Sequence, residues 1–471
     1  MYSEPEIRDL VEAQRSFFRS GKTLPVEWRL KQLRKLKKVL IENENTIKEA
    51  LRDDLGRSGL ESYLCDIGPV ITEINETLRG LRRWSRTELH LSGLVAFPSM
   101  FTKVYKCPYG VTLIISPFNF PFVLSLGVLQ ASISAGNTAV IKASSKSSRS
   151  TEVLKKIITD TFPAEYISVV DGGHEVADCC LDQRFDKIFY TGSPQVAKHV
   201  MSKASENLTP VSLELGGENG NWCIIRRDAD LKDAARKIAF FKLLNSGQIC
   251  ININQVAVAR EVADEFIGLL RESFISQIGS DPLHNEEYTH MINSDAFEKC
   301  TRNLEPYSDR IVFGGHGDRD SLRFEPTVIY PVGTDEEIVM KELFSPILPV
   351  VPFDDGKIDE LLETIGSREK PLAMYVFTRD MSWARKTMQK MQYGGGCINE
   401  VCVHMMVKGV PFNGVGHSGM GAYHGRWGFN EFSHPQTVLT GSSKFNLSLR
   451  EHPYSGKGEK ARELLIRLFE R

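Results

Sequence analysis

The clearest structural signal lies in residues 111–142, which read VTLIISPFNFPFVLSLGVLQASISAGNTAVIK. The segment opens with a short, mainly apolar run at 111–115, of the kind that forms a parallel strand buried on both faces. A Pro/Asn turn follows, then an apolar helix over 122–135 that stops at Gly136-Asn137, and a second strand over 138–142. This order of strand, helix and strand predicts a βαβ unit.

The same alternation continues along the chain. It predicts helices over 149–161, 175–181 and 195–205, and strands over 166–170, 186–190 and 211–215. After Gly217 a second series begins, with strands at 221–226 and 254–259, helices at 230–244 and 262–277, and further strands near 324–330, 372–377 and 397–399. Repeated units of this length indicate doubly wound parallel sheets, which bind ligands at the carboxyl ends of their strands. We therefore expect two α/β domains with a boundary close to Gly217.

The two ends of the chain depart from this alternation. Residues 5–55 and 63–84 have helical periodicity. The C-terminal residues are expected to form an arm or bridging strand and a short amphipathic helix, whose apolar residues are Leu464, Leu465, Leu468 and Phe469.

Composition narrows the class of protein. The 471 residues are 41% hydrophobic and 25% charged, which is typical of a globular protein of two or three domains. A net charge of −2 gives no reason to expect nucleic acid or an anionic membrane as a partner. The longest apolar stretch, 122–135, is too short to span a bilayer, so we expect no membrane span. Nine cysteines without a C-x-x-C pair, and no recognisable signal peptide, favour a reducing cytoplasmic compartment.

Two short segments carry the strongest chemical signal. Asn245-Ser246-Gly247-Gln248-Ile249-Cys250 places a thiol behind a polar, flexible approach, and Leu213-Glu214-Leu215 places a carboxylate among apolar neighbours, 36 residues before that thiol. A nucleophilic sulfur needs an open face and a base that acts once a covalent adduct has formed. The pair suggests covalent catalysis through a thioester. The alternatives for each residue alone are a buried apolar filler for Cys250 and a solvent-facing strand glutamate for Glu214.

Polar residues also follow the predicted strands. Asn119 lies in a turn stiffened by Pro117 and Pro121, where its amide could donate to an oxyanion or simply form the turn. Lys142 ends a strand and could bind a ribose or phosphate, or extend to water. A G-x-G-x-x-G fingerprint is absent, and the candidate phosphate loop is Gly192-Ser193, ahead of a helix.

Two later segments complete the set of motifs. The first is Lys341-Glu342-Leu343-Phe344-Ser345-Pro346, and the second is the glycine-dense run from Pro411 to Gly421, which is typical of a functional loop. His417 and His424 are too weakly supported to be interpreted as metal ligands, and we expect no metal site.

Together these segments resemble the aldehyde dehydrogenase superfamily, and its class 3 branch in particular. The similarity extends over essentially the whole chain, and its ordered motifs are 117–121, 136–142, 190–193, 213–217, 245–250, 342–344 and 411–421. The branch is indicated by the short N-terminus, the Gly416–Gly421 run and the tail Pro453-Tyr454-Ser455. Membrane-attached members of that branch carry an apolar tail, and this chain, which ends at Arg471, is expected to lack that anchor.

The resemblance implies an aldehyde dehydrogenase-like α/β fold, with two doubly wound domains and a small bridging or oligomerisation element. Residues 1–82 and 104–217 would form the nucleotide-binding domain, and residues 218–408 the catalytic domain. Residues 83–103 and 409–471 would form the bridging and oligomerisation element with the C-terminal tail. By the same resemblance we expect a homodimer.

The resemblance also assigns a role to individual residues by motif. Cys250 resembles the nucleophile, Glu214 the base that activates water, and Asn119 the oxyanion donor together with the backbone N–H of Cys250. The cofactor, NAD or NADP, would be held by the residues that match its binding motifs: Lys142 at the adenosine ribose, Gly192 and Ser193 near the pyrophosphate, Val196 in the same cofactor site, Glu342 at the nicotinamide ribose and Phe344 beside it.

The implied reaction oxidises an aldehyde to a carboxylic acid, through a cysteine thiohemiacetal and a thioester that glutamate-activated water hydrolyses. Two alternatives remain: a CoA-acylating relative, in which the thioester passes to CoA, and a non-catalytic structural protein with the same fold. Phe118, Phe120 and Phe122 suggest an apolar entrance for medium-chain or aromatic aldehydes, although core packing explains them equally well.

The chain departs from the family pattern in the cofactor motif. Lys142-Ala143-Ser144-Ser145 stands where Lys-Pro-Ser-Glu is common. Losing that acid removes a partner for the ribose hydroxyl and a charge that would repel a 2′-phosphate, so we expect NADP to be tolerated or preferred. Ala197 stands where a second glycine is expected after Gly192, and Asn413 replaces a glycine in the C-terminal loop.

Overall fold

The computed structural model describes residues 2–93, 96, 99–445, 452–453 and 458–470. Its helices are α1 Glu4–Arg19, α2 Val26–Glu42, α3 Glu44–Leu55, α4 Gly59–Ser62, α5 Gly68–Trp84, α6 Val123–Ala135, α7 Ser148–Thr161, α8 His174–Leu181, α9 Pro194–Glu206, α10 Leu231–Leu243, α11 Ala263–Ile278, α12 Ser294–Leu304, α13 Ile358–Gly366, α14 Met381–Lys390, α15 Gly425–Glu431 and α16 Gly458–Phe469.

The strands alternate with these helices through most of the chain. They are β1 Glu88–Leu91, β2 Phe101–Pro108, β3 Val111–Ile115, β4 Thr138–Lys142, β5 Ile167–Val170, β6 Lys187–Gly192, β7 Val211–Leu215, β8 Asn221–Ile225, β9 Ile253–Ala259, β10 Ile311–Phe313, β11 Gly317–Asp318, β12 Arg323–Phe324, β13 Thr327–Ile329, β14 Ile347–Phe353, β15 Ala373–Phe377, β16 Gly395–Ile398, β17 Gly419–Met420 and β18 Ser433–Leu439.

The N-terminal helical region divides into several helices. Gly56, at φ +66°, ends α3 in the left-handed conformation that glycine tolerates best. A π-helical turn, Tyr63–Ile67, then joins α4 to α5, so the predicted helix from residue 63 begins irregularly. Both α2 and α5 pack on α6, and every residue of α6 is buried. A mainly apolar helix that is buried on every side belongs in a core.

The first large sheet has the strand order β17-β7-β6-β3-β4-β5. Its strands β3 to β7 pair in parallel, and β17 joins the edge antiparallel to β7. The register places Ile115 beside both Lys142 and Tyr190, and Thr191 beside Glu214. The carboxyl ends of these strands therefore meet at one edge, where a doubly wound sheet binds ligands.

The second large sheet has the order β10-β13-β14-β9-β8-β15-β16 and is parallel except at β10. The sequence did not predict β14, which lies inside this sheet between β13 and β9. Its prolines, Pro349 and Pro352, cannot donate ladder hydrogen bonds and argue against a central strand. The strand expected near 324–330 is divided into β12 and β13. The α/β class with two mainly parallel sheets is confirmed.

A third, antiparallel sheet has the order β1-β2-β18. The strand predicted near the C-terminus is β18, which pairs with β2 along its whole length, from Ser433 beside Pro108 to Leu439 beside Thr102. The C-terminal helix is present as α16, although the side chains of Leu464, Leu465, Leu468 and Phe469 lie outside the described residues. Tyr454 and Ser455 of the tail motif lie outside them as well. The predicted domain boundaries stay a prediction.

Candidate active site

One cavity of about 390 Å³ opens where the two large sheets face each other. Most of the predicted site residues line it: Asn119, Gly192, Ser193, Glu214, Cys250, Glu342 and Phe344. They come from separate loops and strand ends, since Asn119 follows β3, Gly192 ends β6 and Glu214 lies in β7. Asn119, Gly192 and Glu214 lie close together because the parallel strands β3, β6 and β7 end at a common edge, whereas Cys250 precedes β9 and Glu342 precedes β14.

The approach to Cys250 is a strained turn. Asn245, Ser246 and Gly247, in the short 3-10 segment after α10, have φ values of +50°, +49° and +73°. Consecutive non-glycine residues in this conformation are rare and cost energy that the surroundings must supply. At Gly247 a Cβ atom would come within 2.1 Å of the Ser345 carbonyl oxygen, so glycine is required there. The turn aims the partly exposed Cys250 thiol into the cavity.

The surroundings of Cys250 disfavour the thiolate. Burial raises the pKa of the Cys250 thiol to about 12, with smaller contributions from the carboxylates of Glu342 and Glu214. Burial therefore favours the protonated thiol over the thiolate at this position.

Glu214 is a buried carboxyl group at the end of β7. Within the described residues its Oε2 atom receives no hydrogen bond, although the side chain is only 5% exposed. Burial raises the pKa of Glu214 well above its usual range, and the nearby Glu431 adds to this shift. Gly419 of β17 lies directly beside Glu214, and a Cβ there would come within 2.2 Å of the Leu213 carbonyl oxygen. The glycine-dense loop is thus packed against the strand that carries the acid.

Asn119 points towards the same loop as Cys250. Its side-chain Nδ2 donates to the carbonyl oxygen of Gln248 at 3.0 Å, and the residue is 2% exposed. Its own carbonyl oxygen accepts hydrogen bonds from Arg57 Nη2 at 2.7 Å and Asn245 Nδ2 at 3.1 Å. Both the amide and the backbone of Asn119 are therefore held in place.

The other side of the cavity has the features of a dinucleotide site. Glu342 has a buried Oε1 with no hydrogen-bond partner among the described residues, and burial raises its pKa to about 7. Gly192 precedes α9, and a Cβ there would come within 2.2 Å of the Tyr190 hydroxyl. Phe344, at φ +53°, meets Phe118 edge-to-face at 6.0 Å.

Lys142 and Val196 lie outside the lining of this cavity. Lys142 ends β4, and its Nζ donates to the carbonyl oxygens of Ala143 at 2.8 Å and Gly172 at 2.7 Å. Burial lowers the pKa of the Lys142 ammonium. The backbone N–H of Val196 donates to the Ser193 hydroxyl at 3.4 Å, in the cap of α9.

The unpartnered polar atoms of the cavity fit a bound dinucleotide. Glu214 Oε2, Glu342 Oε1 and Thr191 Oγ1 are buried, face this cavity and have no protein partner in the described ranges. Buried polar atoms ordinarily have partners, and ribose hydroxyls or water supply donors to carboxylates. Glycine at 192 and 216 leaves space along the cavity wall that a side chain would fill. A Cβ on Gly216, for example, would come within 2.0 Å of Glu342 Oε1.

The sequence reasoning missed two residues at this site. Lys299 lines the cavity and its Nζ donates to the Glu342 carbonyl oxygen at 3.3 Å. It lies on α12, which the sequence did not predict. Arg57 lies behind Asn119, completely buried, and its position just after α3 gave no signal of that contact.

The described residues contain no cluster of His, Cys, Asp and Glu side chains that could hold a metal ion. His417 Nδ1 pairs with Glu218 at 2.9 Å, and His424 Nδ1 pairs with Glu73. None of the helices that the structure describes has both the length and the apolar character needed to cross a membrane.

Comparison with known proteins places this fold and cavity in one family. The model of the aldehyde dehydrogenase family matches residues 1–438. The 4,4′-diaponeurosporen-aldehyde dehydrogenase of Staphylococcus aureus is 37% identical over 445 residues, which cover 94% of this chain and 95% of that protein. Aldehyde dehydrogenase family 3 member B1 of Homo sapiens is 35% identical over 462 residues, covering 97% and 96%. The solved substrate-bound state of Staphylococcus aureus AldH has a TM-score of 0.93 at 35% identity, covering 99% of this chain and all 100% of that one.

The fold and the cavity define an α/β protein whose two mainly parallel sheets contribute loops to one cavity that contains a cysteine. The chain belongs to the aldehyde dehydrogenase family. The resemblance inferred from the motifs is confirmed, and so is the reaction class, the NAD(P)-dependent oxidation of an aldehyde. The roles of the individual residues stay predictions.

Replacement of Glu214 tests the buried, unpartnered carboxyl group. Because the folded state raises the pKa of Glu214, stability falls as pH rises above the ordinary value of 4.5. Glutamine stays neutral and avoids this loss. Glu214→Gln should therefore raise the melting temperature at about pH 8 by at least about 2 °C, and the gain should shrink towards about pH 4.

The matched control is Glu49→Gln on the exposed side of α3, which should leave the melting temperature unchanged at both pH values. A Glu214→Gln protein that melts below the unchanged chain at the higher pH would contradict the account of Glu214.

Proposed function

We propose that the cavity around Cys250 is the site of aldehyde oxidation, with Cys250 as nucleophile, Glu214 as general base and Asn119 as oxyanion donor. The observation that supports this proposal is that the three side chains line one cavity together with Glu342 and Phe344. A CoA-acylating reaction is less well supported, because a base that activates water would compete with transfer to CoA.

In the first step the Cys250 sulfur attacks the aldehyde carbon. A C–S bond forms, the carbonyl π electrons move to oxygen, and the thiol proton passes from the sulfur to bulk water. The oxyanion is stabilised by the Asn119 amide and the backbone N–H of Cys250. One such donor typically accounts for a factor of roughly 10²–10³ in turnover.

The second half of the reaction needs a hydride acceptor and a base. When bound, NAD or NADP supplies the acceptor that converts the thiohemiacetal to a thioester. Glu342, with Phe344 beside it, would hold the nicotinamide ribose, Gly192 and Ser193 the pyrophosphate, and Lys142 the adenosine ribose, with Val196 nearby. The ionised form of Glu214 takes a proton from water, and the water oxygen attacks the thioester carbon. The C–S bond then breaks to give the acid, and the leaving thiolate takes the proton back from Glu214.

Cys250→Ala should abolish the formation of NAD(P)H while cofactor binding is retained. Absorbance follows turnover, and calorimetry follows binding. The matched control is Cys402→Ala, since Cys402 is a neighbouring buried thiol that donates to the Ile251 carbonyl oxygen at 3.4 Å. The control should keep most of its activity.

The same assay, run without CoA, should yield the carboxylic acid. Turnover in purified Cys250→Ala protein would refute Cys250 as the nucleophile. A strict requirement for CoA would instead favour the acylating reaction.

We propose that the enzyme accepts NADP as well as NAD. Ser145 is exposed and takes the place where an acid is common, so no carboxylate at this position repels a 2′-phosphate. A relative from Mus musculus, 34% identical over 93% of this chain, is named a dimeric NADP-preferring aldehyde dehydrogenase.

Ser145→Glu should lower kcat/KM for NADP at least about tenfold and change that for NAD less than about threefold. Ser144→Glu, one residue earlier, is the matched control for added charge. A strong preference of the unchanged enzyme for NAD would defeat the proposal.

We further propose a homodimer that forms through the sheet β1-β2-β18. Its register places the exposed side chains of Leu89, Leu91, Phe101, Tyr105 and Val438 on one face. Leu91 is 78% exposed and Phe101, directly opposite, is 54% exposed. Lys103 and Gln436 lie on the same face, but most of its exposed side chains are apolar, which is typical of an association surface.

The double variant Leu91→Asp/Phe101→Asp should be monomeric in light scattering, because two carboxylates cannot be buried in the interface. Leu208→Asp is the matched control, since Leu208 is 89% exposed after α9 and lies outside this sheet. The control should behave as the unchanged chain. A double variant that remains dimeric would place the interface elsewhere.

The cytoplasm is the proposed compartment. All nine cysteines lie within the described residues and are free thiols. Free thiols in this number are typical of a reducing environment.

A further inference from the structure

We propose that the buried Arg57 is a positioning residue, which holds the Asn119 turn and the Cys250 loop in the relative arrangement that the reaction needs. The inference rests on the function proposed above for Asn119 and Cys250. Arg57 is 0% exposed and belongs to residues 57–66, a segment outside both large sheets. Its guanidinium touches both catalytic segments without lining the cavity.

The first contact holds the turn that carries Asn119. Arg57 Nη2 donates to the Asn119 carbonyl oxygen at 2.7 Å, and the guanidinium lies over the Phe120 ring, 5.0 Å from its centroid. Arg57 Nη1 donates to Asp66, whose other oxygen accepts two backbone N–H groups at the N-terminus of α6, at 3.0 and 2.9 Å. The turn is thus fixed at successive residues.

The second contact holds the loop that leads to Cys250. Arg57 Nη2 also donates to the Asn245 side-chain oxygen at 2.5 Å. The Asn245 Nδ2 in turn donates to the carbonyl oxygens of Asn119 at 3.1 Å and Gln248 at 3.0 Å. Glu61, four residues after Arg57, accepts the backbone N–H of Asn245 at 2.7 Å.

The strain of this loop explains why it needs an outside support. Asn245 and Ser246 both have positive φ, a conformation that side chains other than glycine adopt only when the surroundings hold it. Gln248, the residue whose carbonyl oxygen orients the Asn119 amide, directly follows Gly247. If this loop relaxed, the proposed oxyanion donor and the thiol would therefore both move, and the distance between them would increase.

A guanidinium suits this position better than an ammonium. Its planar fork offers donors in fixed directions, so one group reaches Asn119, Asn245 and Asp66 at once. A lysine supplies the charge that Asp66 and Glu61 need but cannot reproduce the three contacts together. Burial raises the pKa of Glu61 and of Asp66, and the charge of Arg57 opposes both shifts.

The test is a double-mutant cycle between Arg57→Lys and Asn119→Ala, assayed with hexanal and the better of the two cofactors. Arg57→Lys alone should lower kcat at least about tenfold, and should change KM for the cofactor less than about threefold. In the Asn119→Ala background the same change should lower kcat less than about threefold, because the relative arrangement that Arg57 holds aligns the Asn119 amide with Cys250, and this background lacks that amide.

Arg29→Lys is the matched control for the loss of a buried arginine. Arg29 is 5% exposed and donates to the carbonyl oxygens of Thr23, Leu24 and Ser134, away from the cavity. This control should leave kcat within about threefold of the unchanged enzyme. If Arg57→Lys does not fold, Asn245→Gly replaces it in the cycle, since glycine tolerates positive φ and removes only the side chain.

Each outcome has one meaning. The positioning role would be overturned if the loss of kcat in the double variant equalled the product of the losses in the two single variants. It would also be overturned if Arg57→Lys lowered kcat no more than Arg29→Lys does. An Asn119→Ala enzyme with unchanged kcat would instead remove the proposed oxyanion donor, while the Arg57→Lys result alone would still report on the loop. The inference is supported if the double variant loses less kcat than the product of the two single losses and KM for the cofactor is little changed.

Discussion

Burial of ionisable groups is the constraint on which this cavity depends. A buried charge is costly unless it is paired, so a fold either supplies a partner or leaves the group neutral. The chain does both within one region. Arg57 and Asp66 pair directly and are fully buried, whereas Glu214 forms no ion pair in the described part of the chain. The paired groups make the surroundings rigid, and the unpaired carboxyl group keeps a raised pKa. Rigidity and reactivity are therefore divided between neighbouring sets of residues.

Backbone strain follows the same division. Asn245, Ser246 and Phe344 all have positive φ, and all three flank the cavity. Strain of this kind persists where contacts on several sides fix it. The two strained segments support each other, because Gly247 packs directly against the carbonyl oxygen of Ser345. The loop that leads to Cys250 and the segment that follows Phe344 therefore share one contact, so a change in either should affect the other.

The sequence predicted most of the first sheet, because a parallel strand buried on both faces is a continuous apolar run. The predicted bounds of β3, β4 and β7 match those observed. The sequence did not predict β14, because its two prolines argue against a central strand. Part of the cavity lining was predicted through motif resemblance, since Cys250, Glu214 and Asn119 each carry a local pattern. Arg57 and Lys299 could not be predicted, because their contacts are made only by the tertiary structure.

The C-terminal residues connect the third sheet to the acid in the cavity. Gly419 of β17 pairs beside Glu214, and the chain then runs through α15 into β18 on the exposed sheet. Within α15, Glu431 pairs with Lys187 at 2.7 Å and also accepts a hydrogen bond from Ser212, two residues before Glu214. Burial is the main cause of the raised pKa of Glu214, and the Glu431 carboxylate adds to it, so the position of Glu431 bears on the proposed base. Strand β18 therefore follows directly on the short helix whose last residue, Glu431, is held against the first sheet by Lys187 and Ser212.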